Sequence, residues 1–210
     1  MTRVEQIIHT LNQMFPDAHV ELTHKNHFEL LVAVVLSAQT TDVSVNKVTP
    51  NLFNRYPTPQ LLSKADVKDV EKLIKTIGLY RNKAKNIVKL SEELVSRFDG
   101  IVPGDRKSLE SLPGVGRKTA NVVLSNAFDI PALAVDTHVA RVSIRLGLAK
   151  QNDSVLEIEK KLNRKLPRDS WTKMHHQMIF FGRYHCLAKK PKCSTCPLFD
   201  ICKFKDKQKY

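Results

Sequence analysis

The sequence predicts an all-α chain built as two helical domains, and three observations carry that reading. Apolar residues recur at three- and four-residue intervals through most of the chain. No convincing alternating strand is visible, and the breaks between periodic runs fall at Gly, Pro and capping residues. Roughly ten helices joined by short loops follow from these runs. A length of 210 residues allows one large domain or two small ones, and 42% hydrophobic content is enough for a core.

Each element has its own justification. Val4, Ile7, Ile8, Leu11 and Phe15 place an amphipathic helix over residues 3–15, ended by Pro16. Residues 28–39 are apolar nearly all round, which predicts a buried helix. Its polar end, Ser37-Ala38-Gln39-Thr40-Thr41-Asp42, supplies an exit loop and the N-cap of a helix over Val43–Phe53. Tyr56-Pro57-Thr58-Pro59 is a loop. Val67, Val70, Leu73, Ile74 and Ile77 mark a helix capped by Asp66 and stopped by Gly78. Ala84, Ile87, Val88, Leu94, Val95 and Phe98 mark a long helix closed by Gly100. In Leu112–Ala120, Pro113-Gly114 signals a tight turn, and Gly116 opens the apolar-periodic run Ala120, Val122, Val123, Leu124, Ala127 and Phe128. Phe128-Asp129-Ile130-Pro131 breaks the chain, and residues 136–146 are again helical. Ser154-x-x-Glu157 is a capping box for a helix over 155–165, and Pro167 suits the first turn of one running to about Gly182.

Charge narrows the function. Thirty-four Lys and Arg against 21 Asp and Glu give +13, which predicts a polyanionic partner, nucleic acid before an acidic membrane. The start has no charged region followed by an apolar one, so no signal peptide is read. The longest apolar run, Leu30–Leu36, falls well short of the span of about 20 residues a membrane helix needs. A cytoplasmic protein is expected.

All four cysteines fall in one C-terminal cluster, Cys186-x6-Cys193-x2-Cys196-x5-Cys202, which points to a metal or an iron–sulfur cluster rather than disulfides. Zinc also accepts four thiolates, but its common sites use two short Cys-x2-Cys-like pairs, and here there is one. A four-thiolate [4Fe–4S] cluster is chemically suitable. It would fix the loop Leu187–Lys192 and present Lys189, Lys190 and Lys192 to a phosphate backbone. Residues 181–210 hold eight Lys or Arg against two acids.

The hairpin carries the chemistry. Free N–H groups at a helix start, approached through glycines, seat a phosphate. Arg117 and Lys118 sit in the first helical turn, where the macrodipole disfavours cations, so an anionic partner is expected. Val135-Asp136-Thr137-His138-Val139 follows, and Asp136 is placed to cap the next helix. A helix of about ten residues carries the chain some 15 Å from Lys118, and the irregular stretch 129–136 can return that far. A lysine and a carboxylate in one cleft suit the opening of a glycosidic bond, through amine attack on the sugar carbon. In a desolvated pocket, Lys118 would be that nucleophile. Taken alone, Gln39 reads as a polar helix end and Leu79 as an ordinary apolar loop residue. Tyr80, Arg81 and Lys83 surround a helix start, either as a phosphate contact or as a solvated face.

Leu112-Pro-Gly-Val-Gly-Arg-Lys-Thr-Ala followed by Val135-Asp-Thr-His-Val resembles the helix-hairpin-helix/Gly-Pro-Asp signature of the endonuclease III family. Ser37-Ala-Gln-Thr-Thr-Asp, Ile77-Gly-Leu-Tyr and the cysteine spacing match it too, so the resemblance covers almost the whole chain. It implies a bifunctional DNA glycosylase/AP lyase acting on oxidised or saturated pyrimidines and abasic sites in duplex DNA. Lys118 would be the nucleophile and Asp136 the catalytic carboxylate. Gln39 would fill the space of the flipped nucleotide, and Leu79 would wedge the opposite strand. Gly114, Gly116, Arg117, Thr119, His138, Lys189, Lys190 and Lys192 would meet DNA. The four cysteines would hold a [4Fe–4S] cluster, and carbonyls of Glu110, Leu112 and Val115 a monovalent cation. The implied protein is a monomer. Its domains would be 21–130, a helical barrel ending in the hairpin, and 1–20 plus 131–210, the cluster domain. Lys118 and Asp136 would face each other across a DNA-binding cleft between the domains. Two rivals differ in kind. A non-enzymatic helix-hairpin-helix module leaves Lys118 and Asp136 unexplained. A monofunctional adenine glycosylase of the same fold lacks the nucleophilic lysine and carries an extra C-terminal domain, so Lys118 and the end at Tyr210 point away from it.

Overall fold

The computed structural model describes residues 1–210 and is all helix and loop, without a strand. Its contacts divide the chain into two units, Glu21–Ile130, and Met1–Val20 with Pro131–Tyr210.

The unit Glu21–Ile130 contains α2 (His27–Leu36), α3 (Asp42–Arg55), α4 (Pro59–Leu62), α5 (Val67–Ile74), α6 (Tyr80–Phe98), α7 (Arg106–Glu110) and α8 (Arg117–Ala127). Helix α2 is buried from Phe28 to Leu36, as its all-round apolarity predicts, and packs against α8, α3 and α6. It stops at Leu36 rather than Gln39. The Ser37 hydroxyl donates to the Val34 carbonyl at 2.8 Å, and Gln39 turns to a left-handed φ of 54°. Asp66 caps α5 as expected, accepting from the Lys68 amide at 2.8 Å, but that helix ends at Ile74, short of Gly78. Helix α6 closes on Asp99 and Gly100, both left-handed, with the Gly100 amide donating to Leu94 O at 2.8 Å.

The other unit contains α1 (Arg3–Met14), α9 (Thr137–Arg145), α10 (Val155–Lys165) and α11 (Trp171–Phe180). Ile7 and Leu11 of α1, Val139 and Val142 of α9, Ile158 and Leu162 of α10, and Met174 and Met178 of α11 form its core with Phe181. Each such side chain contributes about 1.5–3 kcal/mol by leaving water. The Ser154–Glu157 capping box is present, and a second joins Thr2 to Glu5 at the head of α1. The single helix expected from Pro167 to Gly182 is instead three pieces: a 3-10 turn at Arg168–Ser170, α11, and a π-turn at Phe181–His185. Gly182 passes so close to α9 that a Cβ there would stand 2.9 Å from the His138 Cβ. The wider turn then delivers Cys186, whose amide donates to Phe181 O.

Candidate active site and cluster pocket

The hairpin is formed by α7, a turn and α8. Gly114 sits at φ 78°, and a Cβ there would come within 3.1 Å of Asn86 and 3.2 Å of Val35, so the fold itself requires glycine. Gly116 differs. Its backbone is extended, and a Cβ built on it would meet nothing within 4 Å. Nothing inside the protein demands glycine at 116.

Helices α1 to α5, α7, α9 and α10 all begin on a side-chain cap from Thr, Asn, Asp or Ser. Helix α11 runs on from a 3-10 turn. Helices α6 and α8 start without a side-chain cap, on Leu79 and Gly116, and without an acid in the first turn. Their leading N–H groups therefore stay available to an anion. Arg117 and Lys118 are exposed in that first turn of α8, with Thr119 half-buried behind them. The Lys118 side chain is exposed, because α8 begins at the surface of its unit. The carbonyls of Glu110, Leu112 and Val115 belong to the hairpin, and Leu112 O accepts from the Val115 amide at 3.1 Å.

Gln39 and Leu79 share a backbone signature that residue type does not announce. Both are exposed, Leu79 to 56%, and both hold left-handed φ, 54° and 57°. Non-glycine residues reach that region at a cost of about 1–2 kcal/mol, and such strain collects at functional positions. Lys83, read from sequence as a phosphate contact or a solvated face, is neither. It is buried, with its amine on the Thr40 hydroxyl.

Asp136 and His138 lie in the other unit. Asp136 caps α9, its Oδ1 accepting from the Val139 amide at 2.8 Å, and remains half-exposed. Burial lowers the His138 imidazole below its ordinary range, against the smaller upward pull of Asp136. Arg141 Nη2 lies 3.2 Å from His138 Nδ1.

Cys186, Cys193, Cys196 and Cys202 line one small pocket together with Arg145, Phe181 and Phe204. No three His, Cys, Asp or Glu side chains converge closely enough to hold a single ion. Four thiols around one pocket are the donor set a [4Fe–4S] cluster requires. Burial pushes the Cys196 thiol up to about 11 and raises Cys193, so loading must displace protons. Arg145, missed in the sequence, organises the pocket. Its Nη1 donates to Leu187 O at 2.7 Å and to Cys186 Sγ at 3.3 Å, and its guanidinium lies 4.1 Å from the Phe204 ring centroid. Arg141, one turn earlier, donates to Cys186 O and Gly182 O. Spacing of i and i+4 put these two arginines on one face of α9, but their partners lie some forty residues on. The loop so pinned exposes Lys189, Lys190 and Lys192 around a buried Pro191.

Residues 32–168 match the family model of the HhH-GPD superfamily base excision DNA repair protein, and residues 186–202 match the iron-sulfur binding domain of endonuclease III. The chain is 54% identical to the endonuclease III of Bacillus subtilis over 203 residues, spanning 97% of this chain and 93% of the relative. It is 46% identical to that of Escherichia coli, spanning 96% and 95%. A solved structure described as a trapped endonuclease III–DNA covalent intermediate superposes with TM-score 0.93 at 54% identity, covering 100% of this chain and 99% of that one. A thermostable thymine-DNA glycosylase, 23% identical, shares the fold with TM-score 0.86.

Proposed function

This chain belongs to the endonuclease III family, and from that membership we propose how its residues carry out the family's reaction. It is a bifunctional DNA glycosylase and AP lyase of base-excision repair, and it carries a [4Fe–4S] cluster. We assign Cys186, Cys193, Cys196 and Cys202 as the cluster's ligands. Bound there, the cluster cross-links the loop that bears Lys189, Lys190 and Lys192.

The substrate in our reading is duplex DNA holding an oxidised or saturated pyrimidine, or an abasic site. Gly114, Gly116, Arg117 and Thr119 seat a backbone phosphate at the head of α8, with the three lysines and His138 adding contacts. The damaged nucleotide must leave the stack before chemistry, with Gln39 filling its place and Leu79 wedging the opposite strand. The Lys118 amine attacks the sugar C1′ as the bond to the base breaks, and the base departs with its electron pair and takes up a proton. Asp136 stabilises the positive charge developing on the sugar and moves protons. Ring opening leaves an imine on Lys118. Loss of a C2′ proton then expels the 3′ phosphate by β-elimination, and hydrolysis frees the lysine. Carbonyls of Glu110, Leu112 and Val115 are assigned to a monovalent cation bracing the hairpin. No helix is long and apolar enough to cross a membrane, and we read the protein as a cytoplasmic monomer.

One observation carries this reading: an exposed lysine in the first turn of an uncapped helix, reached through a glycine that the fold does not need. The experiment is borohydride trapping on duplex DNA with a single abasic site. Wild type should yield a covalent adduct, and Lys118→Ala should yield none while keeping most of its DNA affinity. Full adduct from Lys118→Ala removes this lysine from the mechanism, and no adduct from wild type leaves a binding module.

A further inference from the structure

Lys83 stands near the start of α6 with only 4% of its surface exposed. Its Nζ donates to Thr40 Oγ1 at 2.6 Å, and no carboxylate accompanies it. Burial alone lowers this amine from its usual range. A methionine of similar length would fill the same space without the desolvation cost of an ammonium. The bond must therefore do something that packing does not.

What it joins is informative. The Lys83 side chain holds Thr40, next to Gln39, while its own backbone N–H donates to the Leu79 carbonyl at 3.1 Å. The amine thus fixes Thr40, the neighbour of Gln39, to the first turn of α6, whose opening main-chain bond is made to the Leu79 carbonyl. The loops also lie close together: a Cβ at Gly78 would stand 4.0 Å from both Gln39 O and Thr40 Oγ1. Non-glycine residues keep a left-handed backbone only where their surroundings impose it, and here one buried amine ties the Gln39–Thr40 loop to the helix that starts on Leu79.

We propose that Lys83 is a positioning residue that holds the Gln39 and Leu79 loops in register, so that both enter the duplex together. This rests on the reading of Gln39 and Leu79 as the residues that open the base stack. Without the tie each loop keeps its fold but loses its spacing from the other. Extrusion of a base then slows, while attack on a sugar that carries no base is spared.

The test compares Lys83→Met, Thr40→Val and the double variant with Gln39→Ala and Leu79→Ala. Single-turnover rates are read on duplex containing a damaged pyrimidine and on duplex containing an abasic site. Fluorescence of 2-aminopurine opposite the lesion reports unstacking, and thermal melts report folding. Lys83→Met and Thr40→Val should each slow base release about tenfold, with abasic cleavage and melting little changed. The double variant should be no worse than either single one. Thr40→Ser, which keeps the hydroxyl, should restore both rate and fluorescence. Selective loss in Gln39→Ala and Leu79→Ala but not in Lys83→Met overturns the tie and leaves the wedge reading standing. Equal loss on both substrates in Lys83→Met marks a plain structural residue and overturns it too. No selective loss in the Gln39 and Leu79 variants overturns the wedge reading, and this proposal with it.

Discussion

At the residue scale, two contrasts separate a structural duty from a chemical one. Asp136 does both in our reading, since its Oδ1 holds the Val139 amide at 2.8 Å. Asparagine caps a helix about as well as aspartate, so Asp136→Asn should leave the melting temperature nearly unchanged while turnover collapses. A fall in melting temperature with turnover intact would make Asp136 a cap and nothing more. The hairpin glycines make a second contrast. Gly114→Ala must force an L-residue to φ 78° against Asn86 and Val35, and should cost more than about 1 kcal/mol of stability. Gly116→Ser meets open space and supplies the cap that α8 lacks, so it should gain up to about 1 kcal/mol. Its DNA affinity should nevertheless fall, because the hydroxyl takes the N–H groups meant for phosphate. Titration of both variants against duplex DNA decides the matter, and unchanged affinity in Gly116→Ser would remove that glycine from the DNA interface.

At the scale of elements, the helices were legible because each carries its own period and cap. Asp66, Ser154 and Asp136 all cap where their side-chain chemistry places them. What escaped was set by partners distant in sequence. Nothing in residues 37–40 says that Gln39 is left-handed, nor that Lys83 turns inward to a threonine 43 positions away. Leu79 looked like an ordinary loop residue because its exposure and positive φ are properties of the folded chain. Helix α11 offers a test of burial at this scale. Burial pushes the His176 imidazole down to about 3, with His175, His19 and Arg183 adding positive neighbours. Above the ordinary histidine value of about 6.5 it is neutral in both folded and unfolded chains and pH has no effect through it. Between about 6.5 and about 3 the unfolded chain takes a proton that the folded one refuses, so stability falls as pH falls. Denaturant unfolding across that range should show the loss in wild type and a shallower one in His176→Gln. Identical slopes in the two proteins would mean that His176 takes no part in the acid response.

At the scale of the whole molecule, the net charge of +13 pointed to a polyanionic partner and the cysteine cluster to a metal or iron–sulfur centre, with the family resemblance selecting iron–sulfur. They could not show how the cofactor loop is held. Arg141, Arg145 and Lys207 do that through carbonyls of the loop and its flanks, and those bonds join residues far apart in sequence or belong to an irregular turn without periodicity. The same arrangement separates two ways in which the basic C-terminal region can serve DNA binding. If Lys189, Lys190 and Lys192 contribute only charge, the loop's order is irrelevant and the protein without its cluster binds as before. If they act as a fixed set of phosphate ligands, removing the cluster must weaken affinity and counterion release together. Cys193→Ser distinguishes the two, because it removes one cysteine ligand and leaves every lysine in place. Wild type should be yellow-brown with about four irons per chain, and the variant pale. The slope of log K against log salt should become shallower by up to about 0.9 for each phosphate that the loop no longer neutralises. Circular dichroism should show the helices of residues 21–130 retained, since they form a unit separate from the one that holds the loop. A colourless wild type with one zinc and no iron would overturn the cluster assignment. A pale variant with an unchanged salt slope would keep the cluster and remove its loop from the DNA interface.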